Sequence, residues 1–413
     1  MAEFCKLPEE MAMQILSRLP PQSLMRFKGV HKSWYTMINS PKFIAKHLSN
    51  SMHNHSSICV LFKLSVLKNN NTRDNDEKET VFSLLTFCND DDDHTEHIIH
   101  HVGDDITKNH VVGIKAKDLE SVWIIGHCDG IICLGGLADS SNVILWNPAL
   151  GEFKLLNLEP YPDQVMTSFG FGYDPKSKDY KVVNIGKPGE EEYGDGHILN
   201  NPPTVQVYTL GTNSWREIKT GSLETETTNM WPEEFDMYFK GFRYWGGREQ
   251  IKEFDNFCDR NEEEYVRQLI ISFDTVDEVF HHILFPDSLY ESFACWYFNM
   301  NVIVWNESVA LFGMDYGICE DYSRVLWVME DFGGVVKGSW IKQFTFGTAA
   351  GLEKPLQFWN RDEILLVSNG HLVSCNIDTG KLKHLPIPNY MDFDHLEAAV
   401  YVNSIVGILE ARN

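Results

Sequence analysis

The chain has 413 residues, 43% of them hydrophobic and 12% aromatic, and a formal net charge of −24. That length predicts one large domain or two unequal ones with ample material for a core. No apolar run reaches the roughly 20 residues that a membrane-spanning helix requires. Acids in MAEFCKLPEE stand where a secretory signal would carry a basic flank and an apolar stretch. The nine cysteines include no CxxC pair, a pattern that fits free thiols in a reducing compartment better than a disulfide framework. The expectation is a soluble, intracellular protein.

The charge is divided unevenly. Residues 1–49 hold seven Lys or Arg and three acids, giving +4; the remaining 28 basic and 56 acidic residues give −28. An acidic body repels phosphates, which argues against nucleic acid as its partner. It permits electrostatic steering of a positively charged protein.

In LPEEMAMQILSRLPPQSLMRFKGVHKSW (7–34), Pro8 suits a first helical position, and Glu9 and Glu10 suit the positive end of the helix dipole. Met11, Ile15, Leu16 and Leu19 form one apolar face, and Pro20-Pro21 stops the helix. Ser23 is placed to cap a second helix with the stripe Leu24, Phe27, Val30 and Trp34, while Arg26, Lys28 and Lys32 lie on other faces. After Asn39-Ser40-Pro41, a third amphipathic segment runs through Phe43, Ile44, His47 and Leu48. Three short helices bury too little surface to stand comfortably alone, which predicts a docking module spanning residues 1–50.

Residues 51–413 have a different texture, with short apolar or alternating runs. These include ICVLF (58–62), VFSLLTF (81–87), SVWIIG (121–126), GIICLGG (130–136), NVILWN (142–147), YKVVNI (180–185), TVQVYTL (204–210), QLIISF (268–273) and EILLVS (363–368). Asn, Asp, Pro and Gly clusters at 147–151, 174–177, 211–214 and 378–380 predict turns between them. A strand–turn–strand unit recurs in ILWNPALGEFKLL, VYTLGTNSWREI, SFDTVDEVFHHILFP and SCNIDTGKLKHLPI, each reading as the outer hairpin of a sheet. A recurring four-stranded unit predicts a mainly-β chain of β-propeller type, with a sandwich as the alternative. In a ring, YVNSIVGIL (401–409) would complete the blade begun near 58–67.

Candidate chemistry is sparse. NDDDDHTEHIIHH (89–101) is rich in possible metal ligands but polar and without closing cysteines, so a solvated loop is the expectation. His127 and Cys128 would point to opposite faces of a strand, and Asp129-Gly130 reads as a turn. Gly170-Phe171-Gly172 lacks the third glycine and following helix of a dinucleotide fingerprint. No catalytic residue, metal ligand or cofactor-binding residue is predicted.

The order of motifs in residues 7–34, with an LP entry, an IL-xx-LP break, SL-x-RFK and a KSW close, resembles an F-box. Gly29 and His31 depart from the common pattern, where Cys and then Ser or Arg are frequent; a glycine inside that helix would cost up to about 1 kcal/mol. The resemblance implies docking onto the Skp-type adaptor of a cullin and RING ubiquitin ligase. Leu7, Pro8, Ile15, Leu16, Leu19, Pro20, Leu24, Phe27, Val30 and Trp34 would supply the adaptor-facing and internal apolar contacts. Further on, CDGIICL, WNPALGEFKLL, FGFGYDPKSKDYKVV, VYTLGTNSWREI, KGFRYW and CNIDTGKLKHLPI resemble the F-box-associated repeats of plant F-box proteins. More narrowly, INSPKFIAKHLSNS, SVWIIGHCDGIICLGG and LEAAVYVNSIVGI are similar to rose-family S-locus F-box proteins and their S-locus F-box-like "brothers". That implies a non-catalytic receptor in pollen cytoplasm that holds non-self S-ribonucleases for ubiquitination. Holding a cargo beside the transfer machinery raises effective concentration to about the mM range. Two acidic loops are the expected cargo contacts: Glu190, Glu191, Glu192 and Asp195 within 189–197, and Glu253, Asp255, Asp259, Glu262, Glu263 and Glu264 within 253–264. The rival expectations are a non-ribonuclease cargo and, more remotely, a propeller enzyme or glycan-binding module.

Overall fold

The computed structural model describes residues 8–53, 57–67, 78–88, 96–101, 122–136, 142–158, 164–188, 190–193, 196–199, 202–251, 266–291, 300–316, 322–330, 339–346, 352–385 and 391–409. A small helical region is followed by a mainly-β chain. Among the described residues of this region the helices number four where the hydrophobic pattern predicts three: α1 (Glu9–Leu16), α2 (Pro21–Lys28), α3 (Lys32–Ile38) and α4 (Pro41–Met52). Pro20, and not Ser23, occupies the cap of α2, with Pro21 at the first helical position. The expected second helix is cut in two because α2 tightens at its end, Val30 N–H bonding to Phe27 O at 3.1 Å, and the chain is extended at His31 (φ −153°). His31 Nδ1 then accepts from Ser33 N–H at 3.2 Å and caps α3. Gly29 sits at the α2 C-cap, so the penalty expected for glycine inside a helix does not arise. Ser40 Oγ caps α4 by accepting from Phe43 N–H at 3.2 Å.

Among the described residues, six four-stranded sheets follow. The first joins β1 (Ser57–Leu67), β2 (Lys78–Cys88) and β3 (Glu96–His101) to β26 (Met391–Tyr401), which pairs antiparallel with β1. Ring closure by the last strand was expected, but that strand is 391–401, and 402–409 leaves the sheet. The expected loop at 89–101 includes β3; residues 89–95 lie outside the described residues. The second sheet holds β4 (Val122–Cys128), β5 (Ile131–Gly136), β6 (Asn142–Asn147) and β7 (Glu152–Asn157) in that order. The third holds β8 (Gln164–Asp174), β9 (Asp179–Pro188), β12 (Thr204–Thr209) and β13 (Ser214–Ile218); β10 (Glu190–Tyr193) and β11 (Gly196–Leu199) form a separate hairpin between β9 and β12 in the chain. The last three sheets run consecutively: β14 (Thr228–Phe239), β15 (Phe242–Ile251), β16 (Val266–Asp274) and β17 (Phe280–Leu284); β18 (Met300–Trp305), β19 (Ser308–Tyr316), β20 (Tyr322–Met329) and β21 (Trp340–Phe346); β22 (Leu352–Phe358), β23 (Glu363–Ser368), β24 (His371–Asn376) and β25 (Leu382–His384). Six separate blades of this kind make a propeller and not a two-sheet sandwich.

One turn chemistry recurs. The side-chain oxygen at the turn's first residue accepts backbone N–H groups two or three residues on. Asn147 does so for Ala149 (2.9 Å), Asp174 for Lys176 (2.8 Å), Asp274 for Val276 (2.7 Å) and Asn376 for Thr379 (3.0 Å). This is why Asn and Asp mark these hairpins in the sequence.

The chain divides into two compact units. One contains the helices, the first sheet, part of the second and residues 391–409. Its sheets share Leu61, Phe82, Val122, Ile132, Leu134, Ile144, Trp146 and Tyr401. Buried Lys63 pairs with Glu397 at 2.9 Å and lies 4.6 Å over the Trp123 ring, while the other Glu397 oxygen accepts from Ile124 N–H.

The second unit contains β8–β25. There, β8 is an edge strand whose carbonyls at 169, 171 and 173 all point away from β9 and would be left bare on burial. Side chains of the next sheet reach them: Trp245 Nε1 donates to Phe169 O at 3.0 Å, Arg243 to Phe171 O, and Tyr238 Oη to Tyr173 O at 2.7 Å. Gly172 admits this approach, since a Cβ there would lie 2.5 Å from the Tyr238 ring. The Gly170-Phe171-Gly172 motif is thus a packing feature. Beside it, buried Lys181 binds Asp174 (2.8 Å), Glu278 (2.9 Å) and Thr275 O (2.7 Å). Burial alone would raise the Asp174 pKa, but hydrogen bonds from Lys181, Ser177 and the backbone outweigh it and bring it to about 2.

The Gly172→Ala variant should lose about 1–3 kcal/mol through overpacking, read as a lower denaturant midpoint, whereas Gly151→Ala, with nothing within 4 Å of its added Cβ, should lose less despite its φ of 63°.

Candidate protein-docking surfaces

The helical module is built around Ala12, Leu16, Leu24, Met37, Ile38 and Phe43, with Met13, Leu19, Met25, Phe27, Trp34 and Ile44 partly buried against them. Phe27 and Trp34 meet edge to face, with centroids 5.6 Å apart. The turn after α1 would expose orphan helix-end carbonyls, and α4 satisfies them. Asn50 Nδ2 donates to Ser17 O at 3.0 Å, and the buried His47 Nε2 donates to Leu19 O at 3.1 Å. Burial lowers the His47 pKa, with the Leu19 carbonyl opposing in part, and its Nδ1 has no partner among the described residues.

These contacts divide the expected adaptor residues into two sets. Leu16 and Leu24 are core, and Leu19, Phe27 and Trp34 brace it. Pro8, Ile15, Pro20 and Val30 face solvent, and Leu7 lies outside the described residues. Sequence reasoning left out Met11 and Tyr35 as contacts, yet Met11 (51%), Ile15 (53%), Val30 (64%) and Tyr35 (53%) are the most exposed large apolar side chains between Glu9 and Ile38. Met11 follows from its four-residue spacing to Ile15 on α1. Tyr35 had no comparable signal, because the break at residues 29–31 resets the face presented by α3. Val30 and Tyr35 also line an open depression with Lys28, Gly29, His31, Lys32 and Thr36, which couples apolar surface to positive charge.

Of the expected cargo contacts, Glu190, Glu191 and Glu192 lie on β10, paired with β11 through Glu190↔Leu199, Glu191↔Ile198 and Glu192↔His197. The 189–197 segment is therefore largely a hairpin where a loop was expected. Asp195 and the whole 253–264 stretch, with Glu253, Asp255, Asp259, Glu262, Glu263 and Glu264, lie outside the described residues. His127 and Cys128 occupy β4, and Asp129 (φ 53°) with Gly130 (φ 84°) makes the turn to β5. Among the described residues, no group of three His, Cys, Asp or Glu side chains is placed to hold a metal ion, and no helix is long and apolar enough to cross a membrane.

Residues 97–402 match the F-box associated beta propeller domain, and residues 4–51 match the F-box-like model. The chain belongs to the family of F-box proteins with an F-box associated β-propeller. The Arabidopsis thaliana F-box/kelch-repeat protein At3g23880 is 23% identical across 97% of this chain and 95% of its own length. F-box protein At3g07870 of the same plant is 25% identical across 91% and 82%. With another Arabidopsis F-box relative, At3g10430, the match is 24% identical and spans 67% of this chain but 61% of that protein. Among solved structures, the parainfluenza virus 5 hemagglutinin-neuraminidase ectodomain overlaps 79% of this chain and 70% of its own at a TM-score of 0.34 and 8% identity, too remote to bear on function.

His47 gives the helical module a pH dependence. With a folded pKa below the unfolded value of about 6.5, its stabilising neutral form is fully present above that value and is lost as pH falls towards the lowered pKa. Thermal unfolding followed by a probe in α4 should occur at lower temperature at pH 5 than at pH 7.5, and His47→Gln should flatten that difference.

Proposed function

We propose that this chain is the substrate-recognition subunit of an SCF-type ubiquitin ligase, itself non-catalytic. The helical module of residues 1–50 docks on a Skp-type adaptor and through it on cullin and RING subunits. The propeller domain of residues 51–413 holds a protein cargo, with no nucleic-acid or membrane partner. The observation that carries this reading is the split within the F-box: Leu16, Leu24 and Phe43 fill its interior while Met11, Ile15, Val30 and Tyr35 stand uncovered. Large apolar groups kept at the surface of a module with a satisfied core mark a protein interface.

The test follows from that split. Met11→Asp with Ile15→Asp should reduce co-purification with a Skp-type adaptor by tenfold or more while leaving the melting temperature within a few degrees. Leu16→Asp, in contrast, should disrupt the module itself. Undiminished adaptor capture by the folded double variant would refute the docking face.

For the cargo, we propose a basic S-ribonuclease, recognised by an S-locus F-box protein or its relative in pollen cytoplasm. Two things support it: the resemblance of segments such as LEAAVYVNSIVGI and the −28 charge beyond residue 49. The acidic residues of 190–195 and 253–264 are the contacts proposed. Binding should then weaken steeply as salt shortens the Debye length to about 3 Å at 1 M; a flat response would remove the acidic contacts from the reading. Capture of a different protein with no affinity for any S-ribonuclease would instead establish a ligase receptor of other specificity.

A further inference from the structure

Residues 402–409 follow β26 and, among the described residues, pair with no strand. Ser404, Ile405, Val406 and Ile408 are nevertheless buried. Irregular backbone can be buried only where its polar groups find partners, and here the β6–β7 hairpin supplies them. Asn147 Nδ2 donates to both Ser404 O (3.1 Å) and Val406 O (2.8 Å). Glu152 Oε2 accepts from Ile408 N–H at 2.9 Å, and Ala149 N–H donates to the Tyr401 hydroxyl at 3.2 Å. Within the segment, Ser404 Oγ accepts from Val406 N–H at 3.0 Å. The β4–β5 turn contributes by having no side chain: a Cβ on Gly130 would lie 2.4 Å from Val402 O and 2.5 Å from Ser404 Cβ.

The opposite side of the segment faces the helices. Ile405 belongs to the same apolar cluster as Ala12, Leu16, Leu24, Met37, Ile38 and Phe43, and Leu150 of the β6–β7 turn packs against it. The helical module therefore takes part of its core from Ile405, more than 360 positions beyond Phe43 in the chain.

We infer that 402–409 is an intrachain strap. It completes the core of the helical module and fixes that module to the β6–β7 turn, so that the exposed face of α1–α3 is presented in one orientation. Asn147 is the clasp: its amide nitrogen holds two carbonyls of the strap, Ser404 and Val406, while its oxygen holds the hairpin turn beneath. A strapped docking module transmits the position of its dock to the first blades. The inference adds a property to the docking reading and is tested without any adaptor.

Hydrogen exchange on the full chain separates the possibilities. In Ile405→Ala and in Asn147→Ala, amides of α1–α4 should exchange at least tenfold faster than in the unmodified protein, while β14–β17 keep their protection. A third variant, Leu409→Ala, alters an exposed residue at the end of the same segment and should leave the helices as they were. Unchanged exchange in α1–α4 for both strap variants would overturn the inference. Acceleration shared equally by β14–β17 would overturn it too, because the segment would then support the fold at large and not the helical module.

Discussion

A buried backbone N–H or C=O must have a partner, and this chain meets that demand again and again with side chains borrowed from the neighbouring element. The edge strand β8 presents alternate carbonyls to Trp245, Arg243 and Tyr238. The segment after β26 hands its Ser404 and Val406 carbonyls to Asn147 and its Ile408 N–H to Glu152. The turn after α1 is closed by His47 and Asn50 from α4. In each case a polar side chain that would be costly to bury alone becomes favourable because it answers a backbone group equally costly to leave bare.

The same economy explains where polar residues may enter the cores. Lys181 is buried beside Asp174 and Glu278, and also donates to the Thr275 carbonyl, so the charge is both neutralised and hydrogen-bonded. Lys63 is treated alike by Glu397 and the Trp123 face. Glu278 accepts a positive φ of 56° at its turn, a conformation unfavourable for most side chains, and that geometry goes with its contacts to Lys181 and Arg216. Such pairs specify which surfaces meet more than they add net stability.

At the helical module, interior and surface have separate tasks. Leu16, Leu24 and Phe43 close the core, and Met11, Ile15, Val30 and Tyr35 stay exposed. Basic Lys28 and Lys32 border the depression at Val30 and Tyr35, giving that corner a charge opposite to that of the rest of the chain.

The strand runs and turns were legible in the residues because their causes are local. NVILWN and EILLVS coincide with β6 and β23, and Asn147, Asp174 and Asn376 cap the turns they announce. The four outer hairpins were readable for the same reason, as were α1 and α4 from their prolines and apolar spacing. The break between α2 and α3 was not legible, since a continuous apolar stripe from Leu24 to Trp34 hides a cap made by His31. Nor could periodicity tell Leu16, which is core, from Ile15, which is exposed, because adjacent helix positions are sorted by what packs above them. YVNSIVGIL read as a strand, but β26 ends at Tyr401 and the rest becomes the strap. Local propensity fixed the elements and their turns; long-range satisfaction of backbone groups, between residues such as 147 and 406, decided which apolar faces were closed and which were left open.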